Sequence, residues 1–392
     1  MHPAKHFCYM ETNIVYSKYV TGKNFIGRKN ECIILGNLLR QGENVVIYEP
    51  PKTGKTSLIQ QSLINMRMSG ATFLLAELSL VNTRTIADLM LRLGSAVLKV
   101  TASTPDDYSS LVEQYLSGTH FVFDENIYAA KEQILSLSWD IDDSDINAIL
   151  TLPYRLAGQN GQKYIILIDE FQNILLTEDG ESLLKKMETV EKNISSEQKN
   201  LASYIFCGSR VNAMKYIFEQ KRYFHRHVER LKLYPIDDKT IADSTIKMFL
   251  SNGKVIDRDL MMGVCALFKS NIWYINHFSA ICNGIAKGYI METMLEEALD
   301  EMIAIHEPRF RAIMDDLTTF QICLLRAIMD GYTKFSSAEV IERYNLNSSA
   351  NVRRLKDALC KKEIVTFSER EEPQILDPLF EYWVGKNFFE IK

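Results

Sequence analysis

The stretch Asn44-Val45-Val46-Ile47-Tyr48-Glu49-Pro50-Pro51-Lys52-Thr53-Gly54-Lys55-Thr56-Ser57-Leu58-Ile59 holds a strand, a loop and the start of a helix in one short passage. Asn44 to Tyr48 is an apolar, β-branched run closed by two prolines, which predicts a strand ending at Tyr48. From Thr56 onward, Leu58, Ile59, Leu63 and Ile64 recur at helical spacing and predict a helix. Between them lies Gly54-Lys55-Thr56, the end of the phosphate-loop signature G-x-x-x-x-G-K-[ST], with Glu49 in the first glycine slot. In such a loop the amides of Thr53 to Thr56 point at a β-phosphate from a helix N-terminus, Lys55 bridges β and γ oxygens, and Thr56 ligates Mg²⁺. Gly54 lets the backbone come close. Pro50 and Pro51 preset the turn in place of glycine's freedom, while the acidic Glu49 counts against phosphate affinity. The candidate nucleotide contacts here are Glu49, Pro50, Pro51, Lys52, Thr53, Gly54, Lys55, Thr56 and Ser57.

A Gly-Lys-Thr tripeptide alone would do no more than cap a helix. It gains meaning from a second segment downstream, Ile165-Ile166-Leu167-Ile168-Asp169-Glu170, an apolar strand that ends in two carboxylates. Asp169 is placed to hold Mg²⁺ and Glu170 to polarise an attacking water. Phosphoryl transfer also needs positive charge on the equatorial oxygens. Ser209 and Arg210, at the end of Ser203-Tyr204-Ile205-Phe206-Cys207-Gly208, are the candidates to sense the γ-phosphate, with Arg226 as a second cation. The catalytic set is therefore Lys55, Glu170 and Arg210, and the metal set Thr56 and Asp169.

Outward from these motifs, Thr72 to Leu78 predicts a second strand and Ile86 to Leu98 a helix, so strands and helices alternate as in a parallel sheet with helical cover. Before the first strand, a helical pattern runs through Ile33, Ile34, Leu38 and Leu39 and stops at Gly42. Residues 101–150 are polar and acidic and read as a variable insertion with one or two helices. The pattern from Asp237 to about His306 is wholly helical, a lid. From Leu317 the order is helix Phe320 to Met329, helix Ser337 to Tyr344, a turn at Asn345-Leu346-Asn347, helix Ser349 to Lys361, then short strands at Ile364 to Phe367 and Gln374 to Leu376. That is a helix-turn-helix with a β-wing. The expected division is an N-terminal segment 1–24, an α/β P-loop core 25–236, a helical lid 237–316 and a winged helix 317–392.

At 392 residues the chain is long enough for two or three domains, and 46% hydrophobic with 24% charged residues is ordinary globular composition. A net charge of −5 argues against polyanion binding by the whole surface, leaving only a local basic patch. Seven cysteines, Cys8, Cys32, Cys207, Cys265, Cys282, Cys323 and Cys360, are scattered without C-x-x-C pairing, so neither a disulfide framework nor a zinc site is indicated. No window holds ~18 uninterrupted apolar residues and no secretory leader is visible, which predicts a cytoplasmic protein with no membrane contact.

These segments in this order resemble the AAA+ superfamily, and within it the STAND-type "archaeal ATPase" family of archaea and Bacteroides-type gut bacteria. Phe25-Ile26-Gly27-Arg28-Lys29-Asn30-Glu31 resembles the family's leading F-x-G-R-x-x-E box, which implies nucleotide contacts at Ile26, Gly27 and Arg28, with adenine near the backbone of Ile26. Asp169-Glu170-Phe171-Gln172 resembles its D-E-F-Q motif, and Gly208-Ser209-Arg210 its sensor strand. Arg226 falls on the arginine that precedes the family's L-x-P segment, with His225 where glycine is usual. Ser270-Asn271-Ile272-Trp273-Tyr274-Ile275 resembles its nucleotide-facing G-x-P-x-Y-I turn, with Ile272 in place of proline. Ser348 to Val365 resembles its winged helix, and Leu376-Asp377-Pro378-Leu379-Phe380-Glu381-Tyr382-Trp383 its L-D-P-x-F-E-x-W segment.

The resemblance implies an ATP- and Mg²⁺-dependent switch or scaffold acting with a protein partner. Two other readings compete with a hydrolysing switch. One is a DNA-binding module gated by nucleotide through Arg353, Arg354, Lys356, Lys361 and Lys362, on or beside the candidate recognition helix. The other is a nucleotide-binding scaffold without turnover, motivated by Glu49 and Ile272.

Overall fold

The computed structural model describes residues 14–131, 133–195 and 197–390. Cys8 and most of the expected N-terminal segment lie outside the described residues. The chain forms two compact units: one from residues 29–51 and 62–233, and the other from the described residues before 29 together with 52–61 and those from 234 onward.

In chain order the first unit contains α1 (Lys29–Arg40), β1 (Asn44–Tyr48), the second half of α2 (Lys55–Met68), β2 (Phe73–Ser79), α3 (Ile86–Thr101) and α4 (Pro105–Leu116). There follow β3 (Phe121–Val122), α5 (Glu125–Lys131), β4 (Ser136–Leu137), α6 (Asp143–Asn160), β5 (Lys163–Asp169), α7 (Gly180–Asn193), β6 (Ala202–Gly208), α8 (Val211–Lys215) and β7 (Val228–Arg230). The sheet has the order β2-β5-β6-β1-β7, with every pairing parallel. Both faces are covered, which is why β1 and β6 are buried at every residue and read as unbroken apolar runs. Tyr48 pairs with Gly208 and Ile168 with Phe206, so β1, β6 and β5 end level and present their carboxyl ends together.

The insertion holds more structure than expected. Residues 101–150 contain α4, α5 and the start of α6, together with a two-stranded antiparallel ladder in which Phe121 pairs with Leu137. Its polar and acidic residues build helix ends: Thr104 caps α4, and Asp142 forms a capping box with Asp145 at the start of α6. In α1 the buried positions are Cys32, Leu35, Gly36 and Leu39, while Ile33 and Ile34, expected on its apolar stripe, are exposed. The helix is present, and its inward face is offset by one residue from the one expected.

The second unit continues with α9 (Asp238–Ser251), β8 (Val255–Ile256), α10 (Arg258–Leu267), α11 (Ile272–Ile285), β9 (Tyr289–Ile290) and α12 (Glu292–Asp315). The segment expected to be wholly helical therefore also holds a short parallel pair, Val255 with Tyr289 and Ile256 with Ile290. Strands of two residues leave no alternation to read. Next come α13 (Thr319–Met329), α14 (Ala338–Arg343), α15 (Ser349–Lys361), the hairpin β10 (Val365–Phe367) and β11 (Pro373–Ile375), and α16 (Pro378–Asn387). Asn345 and Asn347 take left-handed backbones in the turn before α15, a conformation asparagine tolerates well. One hydrophobic core runs from Phe249 and Phe278 through Phe310 to Leu355, Phe380 and Trp383, so α9–α12 and the winged helix share their interior. Cys265 and Cys282 lie in it, where burial pushes their thiols up to about 11 and about 12. Among the described residues no helix is long and apolar enough to cross a membrane.

Candidate functional site

The carboxyl ends of β5 and β6 form a small polar constellation. Asp169 closes β5, and its Oδ1 accepts the backbone N–H of Glu170 at 2.9 Å. Glu170 has a left-handed backbone (φ 52°), which turns the chain into the short 3₁₀ helix Phe171–Leu176 and buries Phe171 and Gln172. The Glu170 carboxylate accepts the Ser209 hydroxyl at 2.7 Å and the Gln172 side-chain amide on the same oxygen. Gly208 makes room for this: a Cβ there would stand 2.6 Å from Gln172 Oε1 and from Met214. Ser209, expected to face phosphate, is thus bonded to the candidate water-polarising residue, and half-buried Arg210 follows at the entrance to α8.

At the end of β1, Glu49 does not remain an unengaged acid in a glycine slot. Its Oε1 accepts the backbone N–H of Leu233 at 3.2 Å, tying the start of the phosphate loop to the segment after β7. Next to it Tyr48 donates its hydroxyl to Glu219 at 2.5 Å, and the Arg230 guanidinium stacks 4.1 Å from the Tyr48 ring centre. Arg226 is exposed and has a left-handed backbone (φ 67°) in the turn that leads into β7.

The rest of the loop belongs to the other unit. Lys52 (φ 68°) and Gly54 (φ 87°) adopt left-handed backbones, Lys55 is buried, and Thr56 is exposed in the first turn of α2. Arg28, expected to contact nucleotide, clamps the loop from outside. Its Nη2 donates to the Thr53 carbonyl at 3.2 Å and its Nη1 to the Tyr234 carbonyl at 2.9 Å. Gly27 (φ 67°) is required beside it, because a Cβ would meet Ile236 at 2.8 Å. Half-buried Ile26 precedes this pair. Ser57 Oγ accepts the Val20 N–H at 3.1 Å and Gln61 the Gly22 N–H at 2.6 Å, so the segment before the G-R box is pinned along α2.

The turn Ser270 to Ile275 lies against this loop. Asn271 caps α11 through the N–H groups of Trp273 and Tyr274, and Ile272 Cγ2 is 4.0 Å from the point where a Cβ would stand on Gly54. Lys52 Nζ sits 3.6 Å from the centre of the Trp273 ring and 4.9 Å from that of Tyr274. Burial, reinforced by the nearby Arg309 cation, lowers the Lys52 ammonium to about 8. Tyr16 stacks on His277 at 4.4 Å, and His306 packs edge-on against Trp273 and Tyr274. Burial and the same cations lower His306 to about 4, so it is neutral. The sequence offered Trp273 and Tyr274 only as part of a turn, and nothing in it marked Arg309.

Residues 308–386 match the family described as "Probable winged helix domain". No curated protein matches the chain. Among solved structures it is similar to the Walker-type ATPase PABY2304 of Pyrococcus abyssi, at 13% identity over 94% of this chain and 98% of that one, with a TM-score of 0.64. It is also similar to the ORC2 protein of Aeropyrum pernix in its ADPNP-ADP complexes, at 14% identity over 91% and 93% of the two chains, with a TM-score of 0.54. At such identities the likeness defines the fold: an α/β P-loop ATPase core with a parallel sheet, followed by helices and a C-terminal winged helix.

Proposed function

We propose that this chain binds Mg-ATP at the phosphate loop, hydrolyses it slowly, and uses the bound state as a conformational switch. The observation that carries the proposal is the carboxyl edge of the sheet, where Asp169 ends β5, Glu170 follows it, and Ser209, next after β6, holds the Glu170 carboxylate at 2.7 Å. In this reading Lys55 and the amides of Thr53 to Thr56 take the phosphates, and Pro50, Pro51 and Lys52 shape the loop. Thr56 and Asp169 offer a hydroxyl and a carboxylate, the hard oxygen donors that suit Mg²⁺, which when bound would neutralise charge on the phosphates. Glu170 polarises water, Arg210 faces developing charge, and Arg226 is the second cation. Ile26, Gly27 and Arg28 border the base, with Arg28 acting through the loop carbonyl that it holds. Ser57 is assigned to the helix that carries the loop. The functional division proposed is core 25–236, lid 237–316 and winged helix 317–392, acting with a protein partner in the cytoplasm.

ATP binding and turnover measured in Mg²⁺ on the natural chain beside Lys55→Ala and Glu170→Gln test this directly. Loss of binding in the first and loss of turnover alone in the second support the assignment. Binding without turnover in the natural chain leaves the scaffold reading, and no binding in any of them overturns the proposal.

The DNA reading has one supporting observation, the exposed Arg353 and Arg354 on α15 with Lys361 at its end. Lys356 and Lys362 are paired with Glu371 and Asp316, and the wing tip carries Glu369, Glu371 and Glu372 against Arg370. An acidic wing repels phosphate. This favours a protein partner on that surface over DNA, and duplex affinity that falls steeply with added salt would reverse the choice.

A further inference from the structure

Lys52 lies in the phosphate loop, yet its ammonium rests on aromatic rings of the α11 turn. Those rings lead on to the winged helix. The Tyr274 hydroxyl contacts both carboxylate oxygens of Asp377 at 2.8 Å, and Arg309 from α12 donates to the Tyr274 hydroxyl at 3.1 Å and to Asp377 at 2.6 Å. Asp377 is the N-cap of α16, accepting the N–H groups of Leu379 and Phe380 at 3.0 and 3.1 Å. A second tie, Lys269 to Glu381 at 2.5 Å, joins the residue before Ser270 to the same helix. Tyr274 is almost fully buried, so it moves only with its neighbours.

A lysine over an aromatic ring is often a surface decoration, and three features set this one apart. Lys52 has a left-handed backbone, a conformation an ordinary side chain adopts at some cost, so a compensating contact is expected. The ammonium is shared between two rings and half-buried, where a cation–π contact is stronger than at an exposed site. Two cations, Lys52 and Arg309, flank Tyr274, and Asp377 is the anion that offsets both. Removing one cation therefore changes what the other sees.

Resting on the nucleotide reading above, we infer that Lys52 couples the phosphate loop to the winged helix. Seated on Trp273 and Tyr274, it holds the cap of α16 through Tyr274, Arg309 and Asp377; drawn to a polyphosphate in the loop, it leaves the rings and loosens that cap. A charge-assisted bond to phosphate outcompetes a cation–π contact, which gives the two positions different affinities for nucleotide. Lys52 is then a positioning residue whose second seat is on the lid.

The test uses the full chain labelled with 5-fluorotryptophan, whose 3 tryptophans give separate ¹⁹F signals, that of Trp273 being assigned with Trp273→Phe. Hydrogen exchange of residues 378–387 reports α16. Without nucleotide, Lys52→Met is expected to move the Trp273 signal and speed α16 exchange roughly three- to tenfold. Arg309→Met should speed exchange similarly, and Lys52→Gly, which suits the left-handed backbone, should repeat the Lys52→Met result if the loop folds differently around methionine. Saturating Mg-ATP should reproduce both changes in the natural chain and add nothing in Lys52→Met. Unchanged α16 exchange in both Lys52 variants overturns the coupling, as does an unmoved Trp273 signal when calorimetry shows ATP bound. Absence of ATP binding would defeat the nucleotide reading alone, because the Lys52 variants decide the coupling without nucleotide.

Discussion

Ser209 donates its hydroxyl proton to the carboxylate of Glu170 across 2.7 Å, joining two residues that lie 39 positions apart. Gln172 donates to the same oxygen, so the carboxylate is held by two donors at the carboxyl edge of the sheet. Both donors occupy the carboxylate oxygen that must polarise water. Release from Ser209 is then part of reaching the active arrangement. Ser209→Ala is expected to raise basal ATP turnover by roughly two- to tenfold, while Glu170→Gln lowers it by at least ~10². Steady-state phosphate release checks both, and a drop in Ser209→Ala would make Ser209 an orienting residue instead.

Arg28 joins the carbonyls of Thr53 and Tyr234 through separate nitrogens of one guanidinium. A lysine can satisfy only one of these directions well. Arg28→Lys should weaken ATP binding by about 1 kcal/mol, roughly fivefold, with little further loss in Arg28→Ala. Calorimetric titration of the three proteins would show it, and full rescue by lysine would mean that charge alone matters.

Glu49 stands where the loop signature has glycine and bonds to the Leu233 amide. Restoring glycine removes this acceptor and adds backbone freedom to the unfolded chain, so Glu49→Gly should lower Tm by roughly 2–4 °C. Glu49→Gln keeps an acceptor and should leave Tm nearly unchanged. With its carboxylate engaged on Leu233, neither change should alter ATP affinity more than about twofold; a large gain in either would show that Glu49 repels phosphate after all.

Lys52 loses its proton at about 8 in the folded chain, lowered by burial and by Arg309, with Asp377 acting against them. His277 and His306 face the same rings and are held neutral, so they add no charge in this range. An unfolded lysine titrates near ~10.4. Between these values the unfolded chain binds more protons, so this site's contribution to stability rises with pH across that window and is flat below it. The Trp273 ¹⁹F signal should titrate with a midpoint near ~8 in the natural chain and lose that step in Lys52→Met; a midpoint above ~10 would place the ammonium in water.

Much of the architecture was legible in the residues. β1 was read to the residue, since an apolar β-branched run between Gly42 and Pro50 leaves little freedom in where it starts and ends. The helices of the winged helix were found because Thr318, Ser337 and Ser348 cap them and their apolar stripes are regular. β7 was missed because Val228-Glu229-Arg230 is a three-residue edge strand with two outward charges. The residues of α16 carry a motif but no regular apolar stripe that marks a helix. At the site, the pairing of Glu170 with Ser209 depends on the register of β5 against β6, which no local pattern encodes. Arg309 was invisible for the same reason: its meaning comes from Tyr274, 35 positions earlier, and Asp377, 68 later.

The clamp at Arg28 also bears on the order in which the molecule is made. Its Tyr234 contact spans 206 residues, the Thr53 contact only 25. A chain emerging during synthesis can form the short link early, but the guanidinium is fixed from both sides only after residue 234 has left the ribosome. Closing so long a loop is slow and comes late in folding. The phosphate loop therefore takes its final shape only when most of the polypeptide is present, and a half-made chain is poorly equipped to capture nucleotide.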